Sequence, residues 1–153
     1  MSVQLPYFGT PMKNLNSPHF SDGSELLHVY ESDLGTLYFY KHIVVGEFFE
    51  GVSLSYQNGF TLLLKALKHI GTRPVVYLSN RVNSYSVQPN DYKYLEKVPN
   101  IKGIAIISKD PMSTSSAFLE SKFFNKNFAV FNTIQDAHNW GKSILEPYFT
   151  KSK

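Results

Sequence analysis

The chain has 153 residues and a mass of 17.4 kDa, with 42% hydrophobic and 18% charged side chains. That size and balance suit one packed domain and argue against a disordered chain. Cysteine is absent, which removes disulfide scaffolds, thiolate metal sites, iron–sulfur clusters and thiol nucleophiles. No apolar run exceeds about four residues, against the roughly twenty that a membrane span needs. The opening Met1-Ser2-Val3-Gln4-Leu5-Pro6 has neither a basic stretch nor an apolar core, so a secretory leader is not expected and the expected location is cytoplasmic.

The net charge of +3 is uneven: residues 1–76 carry five basic and six acidic side chains, and residues 77–153 carry ten and six. Thirteen of the fifteen basic residues are lysines spread singly, leaving Arg73 and Arg81 as the only groups able to fork onto a phosphate. Nucleic-acid binders gather charge in a stripe or a recognition helix, so no nucleic-acid partner is expected. The acidic half against the basic half would favour self-association, and a homodimer or another protein partner is the expected company.

Residues 1–24 hold Pro6, Gly9, Pro11, Pro18 and Gly23 without a period and read as an irregular or disordered arm, with Tyr7, Phe8 and Phe20 as docking side chains. From Glu25 the residues become β-prone. Leu26–Tyr30, Thr36–Tyr40 and Ile43–Phe49 are rich in β-branched and aromatic residues. Ser32-Asp33-Leu34-Gly35 and Lys41-His42 separate them, predicting an antiparallel opening of two or three strands. Phe60, Leu63, Leu64, Leu67 and Ile70 then fall at helical spacing, with Gly71 and Pro74 as the stop. The spacing predicts a helix over Tyr56–Ile70.

Three short, almost wholly apolar runs follow: Val75–Leu78, Ile104–Ile107 and Phe128–Phe131. The lack of alternation marks strands covered on both faces. Helical stretches are predicted between and after them, over Asp91–Val98, Ser115–Phe124 and Ile134–Leu145, the last capped by Thr133 with Asp136 three residues on. These spacings suit parallel crossovers. The expected fold is α/β, with a mixed sheet of about five strands that opens as an antiparallel hairpin and continues as alternating helices and parallel strands. The domain is placed over 25–146, with 147–153 as a tail.

Several phrases carry a family resemblance: Val44-Val45-Gly46-Glu47-Phe48-Phe49-Glu50-Gly51, Tyr77-Leu78-Ser79-Asn80-Arg81-Val82-Asn83-Ser84-Tyr85-Ser86, Ile104-Ala105-Ile106-Ile107-Ser108, and Phe128-Ala129-Val130-Phe131 before the Trp140 helix. Over roughly residues 25–146 the chain resembles the STAS domains, in particular the small stand-alone bacterial anti-sigma-factor-antagonist-like branch, whose labels also invoke CRAL-TRIO lipid-transfer domains. The resemblance implies a non-enzymatic regulatory or protein-interaction module. In partner-switching members a serine opening a helix is phosphorylated, and the pattern lays Ser86 on that position, with Ser84 as a second candidate. Leu78-Ser79-Asn80 is kept, whereas Tyr77, Tyr85, Val87 and Gln88 depart from the pattern.

The residues themselves offer little catalytic material. His19, His28, His42, His69 and His138 lie far apart with no i, i+4 pair, so no metal site is expected, and the histidines read as strand-edge or helix-surface groups. No nucleophile elbow, Walker loop or dinucleotide fingerprint occurs, so neither catalysis nor a cofactor is expected. Glu47 and Glu50 read as solvated strand-end charges. Ligands of open α/β sheets settle outside the carboxyl ends of the parallel strands. The candidate ligand or anion loop there consists of Ser79, Asn80, Arg81, Ser108, Lys109, Ser113, Thr114 and Ser115, with Ser113 or Thr114 doubling as a helix cap. A small apolar or lipid-like ligand at those strand ends is the second functional reading, with Tyr85, Tyr92 and Tyr94 as pocket candidates. Phe118, Phe123, Phe124 and Trp140 are expected in the core.

Overall fold

A computed structural model describes residues 17–150. Three strands open the fold: β1 (His28–Glu31), β2 (Gly35–Phe39) and β3 (Ile43–Phe48). They pair antiparallel, with Tyr30 opposite Leu37 and Leu37 opposite Gly46. A two-residue strand β4 (Ser53–Leu54) leads to helix α1 (Tyr56–Ile70), and β5 (Val75–Asn80) returns alongside β3. Next come β6 (Ser86–Val87), a single 3-10 turn at Pro89–Asp91, α2 (Tyr92–Glu96), β7 (Ile101–Ile107), α3 (Pro111–Glu120), β8 (Asn127–Phe131) and α4 (Ile134–Thr150).

The main sheet runs β1-β2-β3-β5-β7-β8, with β3, β5, β7 and β8 mutually parallel. This is the expected mixed α/β sheet with an antiparallel opening. It holds six strands rather than five, because the opening contributes three. β4 and β6 form a separate parallel pair.

Helix α1 follows the local chemistry of its sequence. Ser55 accepts from the Asn58 amide at 3.4 Å and the Asn58 side chain accepts from the Ser55 amide at 2.8 Å, a reciprocal box that satisfies two amides at the helix start. Gly71 ends the helix at φ 63°, where a side chain would be strained, and its amide closes on the Leu67 carbonyl. Leu62, Ala66 and Ile70 form the inward stripe.

Two cores sandwich the sheet. On one face Phe39, Val44, Phe48, Val75, Ile104 and Ile106 pack with α1, Tyr92 of α2 and Ala117 of α3. On the other, Ile43, Val45, Val76, Leu78, Ala105 and Ile107 pack with Ala137 and Leu145 of α4 and with Phe20 and Leu26. Tyr7 and Phe8 of the expected arm lie outside the described residues.

Helix α4 runs past Leu145 and through Pro147. Two ring contacts hold its last turn: Lys102 Nζ sits 4.5 Å from the Tyr148 ring centroid, and His42 lies 4.5 Å from Phe149. Among the described residues no helix is long and apolar enough to cross a membrane.

The expectation that Phe118 and Phe123 are core residues is corrected: both are exposed, whereas Phe124 is buried and Trp140 packs on the second core. The buried stripe of α3 runs through Ala117 and Glu120.

Candidate functional site

The carboxyl ends of β5, β7 and β8 gather at one rim, as their shared direction requires, and leave an open cleft of about 680 Å³. Asn80, Arg81, Ser108, Lys109 and Ser113 line it together with Thr133 at the start of α4. The predicted loop is thus largely brought together, but Ser79, Thr114 and Ser115 are not among the lining residues.

Most of these groups already serve one another. The cap of α3 is Asp110, not Ser113 or Thr114: its carboxylate accepts from the Met112 amide at 3.2 Å and from Ser113 Oγ at 3.3 Å. Thr114 Oγ1 donates to the Asp110 carbonyl, and Ser108 Oγ accepts from the Asp110 amide. A carboxylate therefore occupies the helix end that an anion would need. Lys109 is exposed on the same loop.

Arg81 is the largest departure from expectation. Its guanidinium does not face the cleft as a free anion fork. It forms a bidentate pair with Glu120 at 2.9 and 2.8 Å, with side-chain exposures of 1% and 4%. Its Nε donates to Ser79 Oγ at 3.2 Å, and Ser79 Oγ shares a 2.8 Å hydrogen bond with Tyr85 Oη. Tyr85 Oη donates to the Gly46 carbonyl and Tyr92 Oη to Glu120. Burial pushes the phenols of Tyr85 and Tyr92 well above their ordinary range. Tyr85 and Tyr92 are therefore core members rather than residues of a polar loop: Tyr92 bonds the buried charge pair directly, and Tyr85 reaches it through Ser79.

The opposite face holds a second network that the sequence reading missed. His19 Nε2 lies 2.8 Å from Glu47 Oε2, and Asn80 Nδ2 donates to the same oxygen at 2.7 Å. An ionised carboxylate only accepts, so His19 Nε2 donates to Glu47, and the other ring nitrogen, Nδ1, lies 2.7 Å from Tyr40 Oη. Glu47 is not a solvated strand-end charge. Burial opposes its ionisation, but the hydrogen bonds from His19 and Asn80 outweigh that and hold its carboxyl below the ordinary value of 4.5.

A carboxyl lowered in the folded state contributes stability above its unfolded value and loses it as pH falls through the folded one. Glu47→Gln is expected to show a shallower loss of stability than wild type below about pH 4.5. Urea unfolding from neutral pH down through the carboxylate range checks this; coincident curves would mean that the His19–Glu47 contact is not linked to folding.

His138 is likewise no surface histidine. It is buried against Phe20 with ring centroids 3.8 Å apart, and burial lowers its pKa. Asp22 Oδ2 lies 3.6 Å from its Nδ1. His28 stacks on His69 at 3.7 Å, and burial lowers both. Among the described residues no cluster of histidine, aspartate and glutamate could hold a metal ion.

Ser86 is exposed and lies in β6, where its amide donates to the Val52 carbonyl; helix α2 begins six residues later, after Pro89. Val87 and Gln88 separate this serine from the 3-10 turn at Pro89–Asp91, whose extended N-cap is Gln88. Ser84 is also exposed, with its amide on Glu50 Oε1 at 2.8 Å.

The apolar space lies elsewhere than the rim. A cavity of about 150 Å³ sits between α1 and the sheet, on the first core's face. Leu37, Val44, Phe48, Leu62, Ala66 and Tyr77 contribute to its walls. Tyr56 and Phe60 are the exposed large apolar members of the lining, and Tyr94 is half-buried. Tyr56 stacks on Tyr94 with centroids 4.0 Å apart. The nearby Asp91 carboxylate accepts from the Tyr56 amide at 2.8 Å, fixing α1 to the α2 segment. Of the predicted pocket residues, Tyr92 and Tyr94 line this cavity and Tyr85 does not.

No family model matches the chain, and no curated protein matches it. Among solved structures, the chain is similar to an uncharacterized protein of the DUF3478 family with a SpoIIAA-like fold from Shewanella loihica PV-4. The identity is 18%, over 74% of this chain and 90% of that one, with a TM-score of 0.47.

Proposed function

We propose that this protein is a non-catalytic binding module whose cavity beneath α1 takes up a small apolar group, about the size of a benzene ring or the end of an acyl chain. The observation that carries this reading is the cavity of about 150 Å³ walled by apolar side chains. A hydrocarbon entering an apolar space of that volume gains contacts with its walls and takes apolar surface out of water. The exposed rings of Tyr56 and Phe60, with Tyr94 stacked on Tyr56, add aromatic surface beside it. The non-catalytic part rests on the internal pairing of the rim: Arg81 is committed to Glu120, Ser79 to Tyr85, and Asp110 to its helix.

Benzene is a suitable probe. A ligand that binds only the folded state raises the melting temperature by mass action. Benzene is expected to raise the melting temperature of wild type but not of Ala66→Leu, whose larger side chain grows into the cavity. That variant should melt at or above the wild-type temperature, because it fills a void without adding a polar group. Equal benzene shifts in both proteins, or none in wild type, would contradict the reading.

A further inference from the structure

The sheet ends in two edge strands that differ in how they are protected. Edge strands present unpaired N–H and C=O groups, and proteins usually blunt them with charge, proline or a covering segment. β1 carries His28 and Glu31. β8 reads Asn-Phe-Ala-Val-Phe, with no charge and no proline. The flanking Lys126 does not guard it either, because its ammonium turns inward to the carbonyls of Val98 and Ile101 at 2.7 and 2.9 Å.

The direction of the β8 backbone follows from its pairing. The Phe131 carbonyl accepts from the Ser108 amide in the ladder to β7, so residues 127, 129 and 131 face β7. Phe128 and Val130 consequently point their N–H and C=O groups outward. No described strand pairs with that side of β8.

Helix α3 sets an apolar side chain beside the same edge. Glu120 faces the sheet centre, since it binds Arg81 after β5 and Tyr92 of α2. Phe118 lies about 160° around the helix from it, on the flank toward β8. Phe118 is 58% exposed, and Leu119 and Met112 continue an uncharged outer surface.

We propose that β8 and the Phe118 flank of α3 form an interface with a second copy of this chain, joining two sheets through antiparallel β8 strands. An axis at Ala129 pairs Phe128 with the second copy's Val130, and both residues are the outward-facing ones. Each pair then exchanges N–H and C=O groups in the closely spaced antiparallel geometry. The same register places Lys126 opposite the second copy's Asn132, so no like charges meet across the strands. With strands spaced about 4.8 Å apart and α3 seated over β7 and β8, the two α3 helices would lie roughly 10 Å apart, the distance of packed helices. Phe118 of each copy would fill the space between them.

The test combines mass with amide exchange on the full chain. Sedimentation across a concentration series is expected to show two copies of 17.4 kDa, and Phe118→Glu to lower the dimer fraction at least tenfold. Its fold is checked by an unchanged melting curve at low concentration, since residue 118 is exposed. Hydrogen exchange should slow at the amides of Phe128 and Val130 as the dimer forms. A monomer at all concentrations would overturn the proposal, as would a dimer in which these two amides stay fast. Slow exchange of both amides in a monomer would also overturn it, by showing that the edge is covered within one chain.

Discussion

Arg81→Ala is expected to destabilise the protein by about 3–5 kcal/mol, because it strands a buried carboxylate. Among the described residues, Glu120 would keep only the Tyr92 hydroxyl as a partner, at 4% side-chain exposure. The loss would spread, since Arg81 Nε also anchors Ser79, which bonds the Tyr85 hydroxyl that reaches the Gly46 carbonyl. Removing both charges together should behave differently. Desolvation offsets much of a buried pair's attraction, so Arg81→Met with Glu120→Leu is expected to fall within about 1–2 kcal/mol of wild type. Urea unfolding of the two single variants and the double variant checks both statements. A single variant costing under about 1 kcal/mol would mean that the remaining charge finds another partner.

Gly35→Ala is expected to be comparably severe, for a backbone reason. Gly35 opens β2 at φ 150°, a conformation that a side chain rarely adopts. A Cβ there would meet the Phe48 Cα at 2.4 Å and the Glu47 carbonyl at 2.5 Å, both backbone atoms of the paired strand. Strain at such a position costs about 1–3 kcal/mol, and overpacking adds about 1–3 kcal/mol more. The hairpin must shift or β2 must separate from β3. The melting temperature should fall by about 5–20 degrees, since about 1 kcal/mol corresponds to about 2–4 degrees in a domain of this size. A small loss would mean that the hairpin tolerates a different register at its turn. By contrast, a Cβ at Gly23 or Gly51 meets nothing within 4 Å, although both have positive φ, so alanine there should cost only the local strain.

The sequence made α1 and the parallel strands legible because independent signals agree at those places. The apolar spacing from Phe60 to Ile70, Gly71 and Pro74 all mark the same helix. Val75–Leu78 and Ile104–Ile107 are apolar without alternation because each strand is covered on both faces. The rim was also legible, since parallel strands carry their ends to one side. What those ends do was not. Arg81 and Glu120 are 39 residues apart, and a single sequence offers no direct measure of such a contact. A local clue existed: Glu120 lies three residues after Ala117 and four before Phe124, on the inward stripe of α3, where an acid requires a partner. Taking Phe118 and Phe123 as core obscured that stripe.

His19 and Glu47 were hidden for the same reason, being 28 residues apart and joined only when the segment before β1 lies over the hairpin. At the start of α3 several hydroxyls competed with Asp110, and the backbone gave the cap to the carboxylate. The apolar cavity was displaced from the expected rim because the carboxyl ends are lined by caps and loop polar groups, whereas the open space lies where α1 and α2 meet the sheet.

A titration of methyl-labelled protein with benzene, followed by NMR, tests the central claim most directly. Methyl signals of Val44, Leu62, Leu63 and Leu95, which line the cavity, are expected to shift in a saturable manner. Those of Val82, Ile107 and Ile134 at the rim cleft should stay in place. Shifts confined to the rim, or none at the cavity methyls, would contradict an apolar binding site beneath α1.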